Sequence, residues 1–396
     1  MKFSKKLLQV GAAAIVFSAM VVGCSKKEDN TSTPKQEVTV TPTIEVVENV
    51  KDGLVFDHSM ELSYATNFSV DYYVGGYKLV TISDGKKFFT VPEGKEAPEG
   101  VDSEAIILQM PINNILISST PTMSLIHAIG ALDAVTMTTT ERETWLIDDV
   151  ITKMDKGEIT FVGTYKAPDY EILTSMNPPF SVFSTMLSSV PEVAEKLDEL
   201  KSPYLLDQST YEAHPLGRME WVKLYGALFD CEDKANEVFQ VQEDLVKEVT
   251  AAESTQKTAA IFYITSKGVL YVRQGGDYVA KMFELAGGEY IFSNLNPEET
   301  GTSKMEMEEF YATAKDADYI IYIWNLGGKP ETLKEFTDKN ELFTDFKAVK
   351  EGNVWCTTPD FFQISDTLGN MIKDMNSMLT LDDPTVDKFT YLFRLK

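Results

Sequence analysis

The chain has 396 residues, of which 43% are hydrophobic, 11% aromatic and 24% charged. That balance excludes a disordered or fibrous chain and leaves room for roughly two to three domains. Its 36 Lys and Arg stand against 61 Asp and Glu, a net charge of −25, so the surface repels nucleic-acid phosphates and has no basic excess with which to adsorb to anionic lipid.

Membrane attachment therefore needs another device, and the N-terminus offers one. Lys2, Lys5 and Lys6 precede an apolar run from Leu7 to Val22, too short for a spanning helix of about 20 residues. The run closes on Val21-Val22-Gly23-Cys24 and gives way to a polar stretch from Ser25. This boundary resembles a bacterial lipoprotein signal, in which a Cys after a small residue is acylated and becomes the new N-terminus. An uncleaved anchor and a plain secretory signal are the alternatives. The expectation is a leader over 1–23, lipid on Cys24, and a flexible tether over 24–45 rich in Lys, Glu, Thr and Pro. The protein is then held at the cell membrane on its extracytoplasmic face, where more than one acyl chain gives stable anchoring. Losing the three leader lysines from the 36 basic residues leaves the mature charge at −28.

With Cys24 lipidated, Cys231 and Cys356 remain. Export permits a disulfide, but their separation does not specify one. Three histidines, His58, His127 and His214, lie beyond helical reach of one another, so neither a zinc cluster nor a multi-histidine metal site is indicated.

From Val46 to Met110 the pattern is strand-like, with Phe68, Val70, Tyr72 and Val74 alternating and turns at Gly75-Gly76 and Asp84-Gly85. This predicts a β-rich extension over 46–112. At Asn113 strands begin to alternate with helices. Ile115–Ile117 is a short buried strand running into Ser118-Ser119-Thr120-Pro121, where a hydroxyl can cap a helix and Pro suits its first turn. Further strands are expected at Ile159–Val162 and Phe180–Phe183, and helices at Val190–Leu200 and Trp221–Phe229. A long amphipathic helix follows from Asp230 to Glu253, spanning roughly 35 Å. The α/β pattern then restarts with a strand at Ala259–Ile264, a helix at Asp277–Leu285, the apolar strand Tyr319–Trp324, a strand at Asn353–Trp355 and a helix at Ile364–Met378. The predicted fold is α/β: a first lobe over 113–229, a bridging helix over 230–256, and a second lobe with C-terminal helices over 257–396.

Several stretches carry a family resemblance. Ile115-Leu116-Ile117-Ser118-Ser119-Thr120, followed by Ile129-Gly130-Ala131-Leu132-Asp133-Ala134-Val135, is similar to the opening of substrate-binding proteins of ABC importers for iron-siderophores, haem and cobalamin. Gly163-Thr164-Tyr165 with Glu171 and Pro178 resembles a second element of that family, with Pro179 where Asp is usual. The run Glu212 to Gly226 is similar to one branch of the family, and Ala317-Asp318-Tyr319-Ile320-Ile321 resembles a second-lobe strand with Ala for Pro. The resemblance covers about 113–380. It implies two α/β lobes joined by one long helix, with a chelated-iron or tetrapyrrole ligand held between them and handed to an ABC permease. It implies no enzymatic activity and no cofactor.

On that basis the ligand-binding candidates are Ser119, Thr120, Tyr165, His214, Arg218, Arg273 and Trp324, each with a plainer role beside it. Ser119 and Thr120 can simply cap a helix, and Tyr165 and Trp324 can pack in the core. His214 can serve as a hydrogen-bonding turn residue. Arg218 can pair with an anionic ligand or with Glu212 or Glu220. Arg273 sits on what resembles a ligand-presenting loop before Gly275-Gly276. Glu171 and Glu308, the latter beside Glu309, are the candidates for docking the permease, one per lobe. A zinc or manganese receptor is the nearest alternative within binding proteins. A chelatase-like exported enzyme is the alternative outside them, although no G-x-S-x-G or HExxH sequence is present.

Overall fold

A computed structural model describes residues 50–51, 53–381 and 383–396; the leader, most of the tether and Cys24 lie outside them. Three sheets organise the chain. The first comprises β1 (Val50–Lys51), β2 (Leu54–Ser59), β3 (Phe68–Tyr73), β4 (Tyr77–Ile82), β5 (Lys87–Val91) and β6 (Ile106–Gln109), paired in chain order. Neighbours are antiparallel except β5 and β6, which run parallel. The β3–β4 hairpin closes through Gly75 and Gly76, both at positive φ, a backbone that glycine adopts without steric cost.

The second sheet contains β7 (Ile115–Ile117), β8 (Val135–Thr138), β9 (Thr160–Phe161), β12 (Ser181–Ser184) and β13 (Tyr204–Asp207) in the order β13-β12-β7-β8-β9. All four pairings are parallel. A separate two-stranded hairpin, β10 (Gly163–Thr164) with β11 (Ala167–Pro168), lies between them in sequence. The third sheet is mixed: β14 (Thr258–Ile264), β15 (Leu270–Arg273), β16 (Glu289–Tyr290), β17 (Thr302–Met305), β18 (Tyr319–Tyr322), β19 (Val354–Thr357) and β20 (Leu392–Arg394). Its centre, β14-β18-β19, is parallel and flanked by antiparallel strands on both sides. β18 and β19 are buried along their whole length, as strands covered on both faces should be.

The helix Pro215–Leu228 is the hub. Every residue in it except Lys223 is buried, and it packs against the helix Glu232–Thr250, strand β3 and the helices Thr120–Ala128, Tyr278–Leu285 and Leu368–Leu379. It tolerates such crowding because Gly217 and Gly226 admit close neighbours: an added Cβ would stand 2.9 Å from the Tyr64 carbonyl oxygen and 2.6 Å from the Ala235 Cβ. The 19-residue helix Glu232–Thr250 buries one stripe, Ala235, Phe239, Gln242, Glu243, Val246 and Val249, and leaves its polar face to solvent.

The first sheet is bound to the hub by two buried carboxylates. Glu220 accepts hydrogen bonds from the backbone amides of Ser63, Tyr64 and Ala65 at 2.8–2.9 Å. Glu212 accepts from the amides of Thr66 and Asn67 and from the Trp221 indole at 2.9–3.0 Å. Phe68 meets Trp221 edge-on, with ring centroids 5.1 Å apart. The two carboxylates that Arg218 could have paired with are thus occupied by the strap 63–67. Cys231 and Cys356 are both free thiols. No described helix is long and apolar enough to cross a membrane.

Candidate functional site

Strands β13, β12, β7 and β8 are parallel neighbours, so their C-terminal ends share one edge, where open α/β sheets hold ligands. Hydroxyls cluster there. Ser118, Ser119 and Thr120 follow β7, Thr140 follows β8, Ser184 ends β12 and Thr185 follows it, and Ser209 and Thr210 follow β13; together with Tyr165, Asp207, Arg218 and Phe362 they line a cavity of about 370 Å3. Several are already organised. Ser118 and Thr139 share a 2.6 Å hydrogen bond and Thr185 and Thr210 one of 2.9 Å. The Ser119 hydroxyl accepts from the Thr122 amide at 3.4 Å and so caps the helix Thr120–Ala128. Asp207 is buried and accepts from the Tyr225 hydroxyl at 2.5 Å and the Thr122 hydroxyl at 2.6 Å. Burial, with Asp207 beside it, pushes the Tyr225 phenol well above its ordinary pKa, so it stays a donor.

The chain contains only four arginines, and two of them converge here. Arg218, one turn into the hub helix, is 6% exposed; its guanidinium stacks 4.4 Å from the Tyr278 ring centroid and its Nε has no partner among the described residues. Arg273, at the end of β15, is also 6% exposed. Its Nη1 lies 3.5 Å from Asp277, its guanidinium stacks 5.2 Å from the Phe362 ring centroid, and its Nε and Nη2 have no partner among the described residues. Tyr278 stands within electrostatic range of both: burial raises its pKa while the two guanidinium groups oppose the rise.

The loop from Thr358 to Thr367 ties the third sheet to the second. Gln363 donates to the Thr144 carbonyl at 2.6 Å and accepts from the Leu146 amide at 3.0 Å. The Ser124 hydroxyl donates to Asp366 and accepts from the Ser365 amide at 3.1 Å. Burial raises the Asp366 pKa despite the Ser124 bond that opposes it.

Of the residues singled out in the sequence, Ser119, Thr120, Tyr165 and Arg218 line this one cavity, and Arg273 sits directly behind Phe362. Arg273 is the last residue of a paired strand and not part of a loop, as its neighbouring glycines had suggested. His214 is elsewhere. It caps the hub helix by accepting from the Leu216 amide at 3.1 Å, stacks on Tyr64 at 4.7 Å, and lines a different cavity of about 360 Å3 with Lys281 and Glu284. Burial lowers its pKa, which favours the neutral ring. Trp324 opens a short helix after β18, half-buried, with Lys329 5.8 Å from its ring, and does not line the cavity. Glu171 and Glu308 are both exposed in the first turn of a helix, Tyr170–Met176 and Met307–Ala314 respectively, and Glu309 is exposed beside the latter. The hydroxyls after β12 and β13 were overlooked in the sequence, although polar residues at the ends of parallel strands are the available signal. Phe362 lies in an irregular loop and offered none. Among the described residues, no group of three or more His, Cys, Asp or Glu side chains is arranged to hold a metal ion.

A family model described as periplasmic binding protein matches residues 117–361. An uncharacterized lipoprotein of Methanocaldococcus jannaschii is 28% identical over 380 residues, covering 91% of this chain and 89% of its own. A second from the same organism is 25% identical over 385 residues, covering 93% and 94%. Among solved structures, a petrobactin-binding protein of Bacillus subtilis aligns with a TM-score of 0.57 at 15% identity, over 77% of this chain and 99% of its own. A periplasmic haem-binding protein of Vibrio cholerae aligns with a TM-score of 0.56 at 13% identity, over 67% and 98%. At such identities these structures speak for the fold, two α/β lobes, and the sheet at 50–109 lies ahead of the family match.

Proposed function

The chain belongs to the periplasmic binding protein family, and on that premise we propose that it is the extracytoplasmic receptor of an ABC importer, capturing an anionic chelated-iron or tetrapyrrole ligand in the hydroxyl-lined cleft. The observation that carries this reading is the state of the two cleft arginines. In a chain of net charge −25, Arg218 and Arg273 are buried, and Nε of the first and Nε and Nη2 of the second lack acceptors among the described residues. A buried donor left without a partner costs about 1–3 kcal/mol, more when charged. Carboxylate, catecholate or propionate groups of a ligand supply the missing acceptors, and the surrounding hydroxyls can donate to or accept from its remaining oxygens.

Ser119, Thr120 and Tyr165 contribute the first-lobe wall in this reading and Arg218 its charge. His214 and Trp324 stand outside the cavity, so any contact they make requires a ligand that extends beyond it. Glu171 and Glu308 form the rim that docks the permease, and lipid on Cys24 holds the receptor at the membrane. Native mass spectrometry and a visible absorbance scan of the protein purified from its own host test the ligand assignment. A co-purifying iron chelate or tetrapyrrole supports it, and conversion of that ligand to a product by the isolated protein overturns the receptor reading in favour of an enzyme. Cys24→Ser is expected to release the protein from the membrane fraction; unchanged mass and retention would sink the lipid anchor.

A further inference from the structure

We infer that Phe362 is the specificity-determining residue of this cleft: its ring covers the Arg273 guanidinium, and only a ligand with an anionic arm that displaces the ring gains Arg273 as a second cationic contact beside Arg218. The identity of the arm rests on the receptor reading above, whereas the screening rests on geometry alone. Phe362 lines the cavity, and the Arg273 guanidinium, which does not, stacks on its ring 5.2 Å from the centroid. Arg273 itself contributes nothing to the cavity wall and keeps two nitrogens without acceptors.

The neighbouring residue holds the screen in place. Gln363 bonds the backbone of Thr144 and Leu146, and Thr144 is itself part of the cavity wall. On the far side of Phe362, Ser365 and Asp366 are tied to Ser124. The ring is thus half-buried between two anchors while its own side chain makes no hydrogen bond, so it can rotate without breaking either. Rotation gives up the cation–π contact with Arg273 and the edge-on contact with the Phe361 ring, 5.3 Å between centroids, in exchange for charge-assisted hydrogen bonds from Arg273 to the ligand. A neutral ligand cannot make that exchange. It meets a cleft with one available arginine, whereas an anionic one meets two.

The test uses the full mature chain, phenylglyoxal as the guanidinium probe and inorganic pyrophosphate as the anion. In the parent protein, Arg273 is expected to label far more slowly than Arg142, which is exposed on the surface. Phe362→Ala should raise the Arg273 rate at least tenfold relative to Arg142, and Phe362→Leu, which keeps the bulk, should leave it near the parent rate. Calorimetry should show pyrophosphate binding roughly tenfold tighter in Phe362→Ala, about the effect of one added charged contact, with the gain lost in Phe362→Ala/Arg273→Ala. An Arg273 rate unchanged by Phe362→Ala overturns the inference, as does the absence of any pyrophosphate gain or a gain that survives removal of Arg273. Neither measurement needs the physiological ligand, so failure to find a chelate or tetrapyrrole in the purified protein leaves this test intact.

Discussion

Glu220 is the residue whose replacement should reveal how the N-terminal sheet supports the cleft. Its carboxylate is fully buried and accepts from three consecutive amides of the strap 63–67, with Lys223 2.8 Å away as its counter-charge. Hydrogen bonds to a charged group contribute about 1.5–3 kcal/mol each, but three sharing one carboxylate are not independent. Removing one member of a buried charged network typically costs about 3–5 kcal/mol. Glu220→Ala removes the acceptor of three amides, that of Ala65 buried and those of Ser63 and Tyr64 partly so, and strands Lys223, so a cost of that order applies. A domain of 150–250 residues loses about 2–4 °C of melting temperature per kcal/mol, and this chain, being larger, should lose somewhat less per kcal/mol, about 4–7 °C in all. Hydrogen exchange gives the local reading: the amides of Ser63, Tyr64 and Ala65 should lose protection before those of β14 or β18. Because Glu220 shares the hub helix with Arg218, ligand affinity should fall with the strap. A variant that melts within a degree of the parent, with the strap amides still protected, would refute the view that the carboxylate holds the sheet to the hub.

Arg218→Ala should weaken ligand binding roughly ten- to a hundred-fold, with the melting temperature nearly unchanged because no carboxylate is stranded; calorimetry with the co-purified ligand checks both. Asp366 should make the loop contact pH-dependent. Its folded pKa is raised, so the folded state binds more protons, and its contribution to stability improves as pH falls from neutral toward the ordinary carboxylate range. Asp366→Asn should flatten that slope and melt higher than the parent at neutral pH; a parent-like slope would refute the assignment. Glu171→Ala with Glu308→Ala should leave melting and ligand affinity intact, since both side chains are exposed, while ligand uptake into cells falls. Parent-level uptake in that double variant would remove both residues from the docking rim.

What the sequence revealed and what it hid divide along the range of the interactions involved. Ile115–Ile117 and the hydroxyls after it were legible because a strand, a cap and a Pro at the first turn are local features, and Ser119 does cap the helix at Thr120. The long helix was legible from its periodicity, with ends displaced to Glu232 and Thr250. The hub helix was only half visible. Pro215 to Gly217 read locally as a turn ahead of a helix beginning at Trp221, whereas Pro215 starts the helix and Gly217 admits the Tyr64 backbone. Likewise Glu212 and Glu220 read as possible partners of Arg218, whereas amides some 145–157 residues away fill their oxygens. Both failures have one cause. A residue that contradicts its local pattern does so because a distant segment compensates for it, and here that segment is the strap from the N-terminal sheet. The same logic makes the cleft arginines informative. Glu212 and Glu220 find their partners in the strap, whereas Nε of Arg218 and Nε and Nη2 of Arg273 have none among the described residues, and these are the positions that the anionic ligand proposed above would fill.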